Sequence, residues 1–205
     1  MECYGGSLPQ EGRSVNEDAF LIGHGELPFA ALCDGAGNAQ QAAKKVLKLF
    51  EKLFREAPQE QLSIPATWAN WIRLLDSSLL GGAESTFVAT SVLDGQVIGA
   101  CAGDSRVYLL TREGDCRILT DGASKLRLGS GRATAFCFQQ ALRGGETVLL
   151  LSDGAWTPLS LYQIKKAVLS TVGRHFSSVP QAILEAAGHT GRADDMTAIA
   201  LRVCR

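Results

Sequence analysis

Three short apolar runs in this chain each meet an aspartate at one end, and that pattern limits what the chain can fold into. Phe29-Ala30-Ala31-Leu32-Cys33 runs into Asp34, and Val148-Leu149-Leu150-Leu151 runs into Ser152-Asp153. Asp194-Asp195 open the third, Met196-Thr197-Ala198-Ile199-Ala200-Leu201. Apolar runs this short, bounded by turn residues, read as strands. A buried strand that delivers a carboxylate to its tip is costly unless that charge meets a cation. A fourth acidic patch, Asn16-Glu17-Asp18, sits before Ala19-Phe20-Leu21-Ile22. Several such tips converging make a cage of hard oxygen ligands, the donor set that suits Mg²⁺ or Mn²⁺.

The other elements follow from periodicity. After the strands at 19–22 and 29–33, Ala43, Val46, Leu47, Phe50, Leu53 and Phe54 recur at helical spacing, predicting a helix from about Ala39 to Arg55. A second helix, Thr67 to Leu80, carries Trp68, Trp71, Ile72, Leu75 and Leu79 on its apolar side, with Asp76 and Ser77 on its polar side. Core packing explains the two tryptophans more simply than a docking face does. Strands are expected at Thr86 to Leu93, Val97 to Ala102, Val107 to Thr111, Cys116 to Leu119, Ala133 to Gln139 and Thr147 to Leu151. Asp94-Gly95 is a hairpin signal between the first two. Helices at Leu159 to Thr171 and Val179 to Ala187 precede a last strand, Met196 to Val203. With no repeat or linker to divide it, the chain reads as one α+β domain, antiparallel sheets with helices on their outer faces.

Composition excludes several function classes. A net charge of −1 over 205 residues, with the basic residues scattered, gives no electrostatic reason to expect nucleic acid or an anionic membrane as partner. No run approaches the length of a membrane span. The start, Met1-Glu2-Cys3-Tyr4, lacks the pattern of a signal peptide. Cys3, Cys33, Cys101, Cys116, Cys137 and Cys204 are isolated from one another, as expected of reduced core thiols in a cytoplasmic protein rather than a zinc site or disulfide framework.

The acidic patches also carry local signatures. Arg13 precedes Asn16-Glu17-Asp18, where a fixed guanidinium can hold a phosphate while carboxylates face a metal. Asp34-Gly35-Ala36-Gly37 places glycines after a strand-end carboxylate, which lets backbone carbonyls approach an ion. Gly103-Asp104-Ser105-Arg106 and Ser152-Asp153-Gly154 repeat the turn-plus-carboxylate form, and Asp194-Asp195 set like charges side by side.

Together, and in this order, these motifs resemble the metal-dependent protein phosphatases of the PP2C (PPM) type, in a compact bacterial form. The family's R-x-x-N-E-D, D-G-x-G, G-D-S-R, S-D-G and D-[ND]-x-T elements all have counterparts between Arg13 and Thr197. The resemblance implies a four-layer α-β-β-α sandwich, two stacked antiparallel sheets flanked by helix pairs, with two metal ions at one edge. It implies that Asp34 bridges both ions and that Asp153 and Asp194 complete one shell. Glu17 or Asp18 and the Gly35 carbonyl serve the other ion, with Asp104 and Asp195 as further candidates. It further implies that Arg13 binds the substrate phosphate and that Arg13, Asp34 and Asp153 carry catalysis.

The chain departs from the family in four places. Thr157 stands where many members carry an aspartate that helps hold a third ion, so a third ion is expected to bind weakly if at all. Ala36 replaces the histidine of animal relatives, and Asn38 replaces a glycine. The segment from about 121 to 146, where the family has a mobile flap, is short, which points to an open site. His24, His175 and His189 lie outside every motif and are expected to be structural or exposed.

The expectation is therefore a Mn²⁺- or Mg²⁺-dependent protein serine/threonine phosphatase acting on a phosphorylated protein and opposing a serine/threonine kinase. The competing readings are a catalytically weak module that binds a phosphoprotein, and a phosphatase of small phosphorylated metabolites.

Overall fold

The structure is a computed structural model that describes residues 1–36, 39–171, 175–189 and 191–203. Gly37 and Asn38 of the D-G-x-G motif, and Cys204, lie outside the described residues. The strands are Glu2–Leu8 (β1), Ala19–Gly23 (β2), Phe29–Cys33 (β3), Gly35–Ala36 (β4), Glu84–Ser85 (β5), Phe87–Leu93 (β6), Gln96–Ala102 (β7), Arg106–Leu110 (β8), Cys116–Ile118 (β9), Phe136–Ala141 (β10), Thr147–Leu151 (β11) and Met196–Arg202 (β12). The helices are Gln40–Glu56 (α1), Gln59–Leu62 (α2), Pro65–Leu79 (α3), Asp153–Trp156 (α4), Leu161–Leu169 (α5) and Val179–Gly188 (α6).

Two five-stranded sheets, ordered β1-β12-β11-β8-β9 and β10-β7-β6-β3-β2, are antiparallel throughout. Three apolar cores separate four layers. Between the sheets lie Leu32, Val88, Val107, Val148, Leu150 and Ile199. Phe29, Phe50, Phe54, Trp68, Trp71 and Phe87 fill the space between one sheet and α1 with α3. Tyr108, Leu149, Ile164, Ile183 and Leu184 join the other sheet to α5 and α6. This is the α-β-β-α sandwich expected, and it explains why the central strands are buried on both faces and read as unbroken apolar runs. Trp68 and Trp71 are core residues, 2% and 7% exposed.

Register places the carboxylates. In an antiparallel sheet neighbouring strands alternate in direction, so one end collects the exits of some strands and the entries of the others. Ala19 pairs with Cys33, Phe87 with Ala102, and Leu151 with both Arg106 and Ala198. The ends of β3, β7 and β11 and the starts of β2, β6, β8 and β12 therefore share one end of the sandwich. At the opposite end, Asp94 (φ 49°) and Gly95 (φ 72°) make the tight hairpin between β6 and β7.

β1, the start of α3 and the burial of Asp76 differ from the expectation. β1 was not anticipated, because Glu2-Cys3-Tyr4-Gly5-Gly6-Ser7-Leu8 lacks an apolar alternation; it exists through seven register pairs with β12. Helix α3 begins at Pro65, whose missing N–H costs nothing in the first turn. Asp76 is buried rather than on a solvated face, 6% exposed. The five described cysteines are free thiols, three of them buried. His24, His175 and His189 are exposed.

Candidate metal centre

Asp34 follows β3 and is held by its own backbone. Its N–H donates to Thr86 Oγ1 (3.0 Å), and its carbonyl accepts from Thr86 N (2.8 Å) and Ser85 Oγ (3.1 Å). Thr86 Oγ1 and Ser105 Oγ, 2.8 Å apart, extend this network to the turn that bears Asp104. Asp104 is fixed a second time, its carbonyl accepting from Trp156 Nε1 (3.0 Å). Arg106 stacks on the Trp156 ring at 3.5 Å rather than pairing with Asp104. Asp153 opens α4 just after Ser152, which exchanges hydrogen bonds with Thr197 on β12. A side chain on Gly154 would place its Cβ 2.1 Å from the Asp195 carbonyl oxygen, so only glycine lets α4 meet β12 this closely.

These constraints bring Asp34, Asp104 and Asp153 together, with one carboxylate oxygen from each within 4.8 Å of the others. Asp18 and Asp194 lie close enough to act on the same charges. Asp18 is almost wholly buried, and neither of its oxygens has a hydrogen-bond donor in good geometry; Asp34 Oδ2 and Asp104 Oδ1 are also buried without one. Orphaned buried oxygens are expensive. That cost raises the pKa of the carboxyls that bear it. Burial first, then repulsion by Asp195 and Asp153, pushes Asp18 up to about 7, the Thr197 and Ser152 hydroxyls offsetting this in part. Burial and the Asp18 and Asp153 charges push Asp34 up to about 9 despite the opposing Arg127 guanidinium. Asp153 is raised for the same reasons, burial foremost and then Asp104 and Asp194. A cation among these groups reverses each of those penalties, so the donor set fits a hard divalent ion.

The other sequence candidates occupy different positions. Glu17 accepts from the Ala39 backbone N–H through Oε1 (3.0 Å) and faces Arg13 through Oε2 (3.4 Å). Asp195 accepts from the backbone N–H of Gln10 (2.6 Å) and of Glu17 (2.5 Å), which ties the segment before β2 to the start of β12. Asp194 is exposed, with Oδ1 accepting from the Asp195 N–H (2.9 Å). Gly35 packs so tightly that a Cβ would lie 2.9 Å from the Glu17 carbonyl oxygen. Arg13, with Ser14, Glu17, Gln40 and Gln41, lines an open cleft of about 620 Å³ whose walls include none of Asp34, Asp104 and Asp153.

One group at the centre escaped sequence reasoning. Arg127 belongs to no motif, yet its Nη2 lies 3.7 Å from Asp34 Oδ2 and 3.9 Å from Asp104 Oδ1. A lone arginine in a short polar segment leaves no periodic or spacing signal.

Solved structures share this architecture. A bacterial serine phosphatase superposes with a TM-score of 0.86 at 20% identity, covering 99% of this chain and 98% of that one. The catalytic domain of the serine threonine protein phosphatase PstP in complex with two manganese ions gives 0.83 at 22%, covering 100% and 98%. Stp1 of Staphylococcus aureus gives 0.85 at 20%, covering 98% and 94%. No curated relative matches the chain. The fold is that of the bacterial PP2C-type phosphatases. Within that class, the family model of stage II sporulation protein E (SpoIIE) matches residues 28–204, and the chain belongs to that family.

Proposed function

We propose that this protein hydrolyses phosphoserine or phosphothreonine in a protein substrate with the help of two divalent ions, Mn²⁺ or Mg²⁺. The observation that carries the reading is the set of buried carboxylate oxygens without donors in good geometry at one end of the sandwich, on Asp18, Asp34 and Asp104. Asp34, Asp104 and Asp153 each bring a carboxylate oxygen within 4.8 Å of the others, and Asp34 would be the group shared by the two ions. Asp153 and Asp194 would serve one ion; Asp18 and the Gly35 carbonyl would serve the other. Asp18 suits that role better than Glu17, whose oxygens already face Ala39 N–H and Arg13. When bound, two such ions acidify a water for attack on phosphorus and neutralise charge on the phosphoryl oxygens.

The chain's own residues supply position and charge. Asp34 is immobilised by Thr86 and Ser85, and Asp104 by Trp156, so the cluster is arranged before substrate arrives. Arg13, mostly exposed on the cleft wall, carries donors beyond the one facing Glu17 and can take a phosphate bidentately. Residues 1–205 would form one phosphatase domain whose segment at 121–146 is a shortened flap, leaving the site open to a macromolecular substrate and opposing a serine/threonine kinase. Among the described residues no helix is long and apolar enough to cross a membrane, and a cytoplasmic location fits the free thiols.

The test is hydrolysis of a phosphothreonine peptide, p-nitrophenyl phosphate and a sugar phosphate by wild type and Asp153→Ala. Turnover that needs Mn²⁺ or Mg²⁺, favours the peptide and falls at least a hundredfold in the variant is expected. Equal rates in the two proteins would sink the reading. Preference for the sugar phosphate would move the substrate to small metabolites, and no turnover from folded, metal-loaded protein would leave a phosphoprotein-binding module.

A further inference from the structure

Arg127 is held where it is by a chain of contacts that also holds Asp34. Leu128, fully buried in the outer core, donates its N–H to the Ser85 carbonyl (2.8 Å) and accepts from the Ser85 N–H (3.1 Å). The side chain of that same Ser85, and the neighbouring Thr86, grip the Asp34 backbone. The segment beyond Leu128 is pinned by the buried Asp76 of α3. Its Oδ1 accepts from Gly129 N (2.7 Å) and Gly131 N (3.1 Å), and its Oδ2 faces Ala133 N (3.3 Å). A buried carboxylate that accepts three backbone N–H groups makes a rigid anchor. The separation between Arg127 and Asp34 is thus built into the backbone at two points.

The contact itself is unlike an ordinary salt bridge. One nitrogen, Nη2, faces both Asp34 Oδ2 and Asp104 Oδ1 at ion-pair range but beyond hydrogen-bond length. Those are two of the buried oxygens that lack a donor. The guanidinium therefore supplies charge to the pair while leaving their lone pairs unfilled. Its charge is also permanent, because arginine does not lose its proton in a protein.

We propose that Arg127 is a tethered cation that fills the Asp34–Asp104 side of the carboxylate cluster, limiting the number of divalent ions accepted there and weakening their binding. This rests on the metal-centre reading above. A fixed positive charge about 4 Å from two ligand oxygens repels a divalent ion approaching the same oxygens and competes for their charge. It also lets the cluster fold before any ion is loaded. Arg127 acts through Asp34 and Asp104 and is a positioning residue. Asp76, on the other side of the loop, sets how firmly it stays.

The experiment measures Mn²⁺ binding by titration calorimetry and equilibrium dialysis on the full chain, with Arg127→Met, Arg127→Lys and Asp76→Asn. Methionine keeps the aliphatic stem and removes the charge. The Met variant should bind about one further Mn²⁺, or bind the existing ions roughly tenfold more tightly, and should melt earlier than wild type when chelated. Lysine should restore wild-type stoichiometry, and Asp76→Asn should move binding part of the way toward the Met variant. Unchanged or weaker Mn²⁺ binding by Arg127→Met overturns the proposal, as does a lysine variant that behaves like methionine. Failure of wild type itself to bind Mn²⁺ would remove the metal-centre reading along with it. Wild type that binds Mn²⁺ and hydrolyses phosphopeptide beside an unchanged Met variant removes only the role of Arg127.

Discussion

Asp18 shows how far a single side chain can be from its comfortable state. It is 6% exposed, flanked by Asp195 and Asp153 charges, and without a donor in good geometry for either oxygen. In the metal-free protein both Asp18, pushed up to about 7, and Asp34, pushed up to about 9, keep protons that the unfolded chain releases near 3.8. Across that window the folded state binds more protons than the unfolded one, so stability falls as pH rises. With chelator present, the melting temperature should drop between pH 5.5 and 9 by roughly 5 °C or more. Asp18→Asn should flatten this slope below about pH 7, and Asp34→Asn should flatten it across the whole window. A chelated melting temperature that stays level or climbs over that range would overturn the account of these two residues. Asp76 is the useful contrast: equally buried, it is satisfied by backbone N–H groups and sits outside the cluster.

At the scale of elements, the junction of α4 with β12 sets where Asp153 points. Gly154→Ala would drive a Cβ into the Asp195 carbonyl, which it would approach at 2.1 Å. Asp153 and the Asp195 that ties Gln10 and Glu17 must then move apart. The expected result is at least a tenfold loss of Mn²⁺ affinity with a destabilisation of about 1–3 kcal/mol. Gly188→Ala, at the end of α6 with only ordinary contacts near 3.8 Å, should be neutral or slightly stabilising. Equal effects of the two substitutions on metal binding would sink this view of the junction. The same elements show what a sequence can reveal. Strands β3, β11 and β12 and the aspartates at their tips were legible because burial on both faces leaves apolar runs with a charge at one end. Strand β1 was not, because its glycines make room for neighbours, Phe20 packing where a Gly5 side chain would stand, and its pairing with β12 spans nearly the whole chain. Asp76 read as a solvated helix residue because periodicity cannot anticipate a distant loop whose backbone needs an acceptor. Arg127 was invisible for a related reason: its place is set by Leu128 and Ser85, which meet only in the folded chain.

At the scale of the whole molecule, the carboxylates come from both sheets. Asp34 leaves β3 in one sheet, Asp153 follows β11 in the other, and Asp104 lies on the connection from β7 to β8 that passes between them. Without a cation, this end of the sandwich holds carboxyl groups that oppose one another's ionisation over a packed apolar interior. On the proposed reading, a bound ion would convert the same groups into a link between sheets. Any ligand bound only by the folded state stabilises it by mass action, about 2.7 kcal/mol for each site at a hundred times its dissociation constant. Two sites should raise the melting temperature by roughly 10–20 °C relative to chelated protein. The location of the gain is more telling than its size. Hydrogen exchange should slow at 33–36, 103–106 and 152–156 together, drawing on both sheets, while the Asp94-Gly95 hairpin at the far end stays unchanged. Protection confined to one sheet, or spread evenly to both ends, would mean that the carboxylates do not share their ions across the interface, and the centre would have to be redrawn within a single layer.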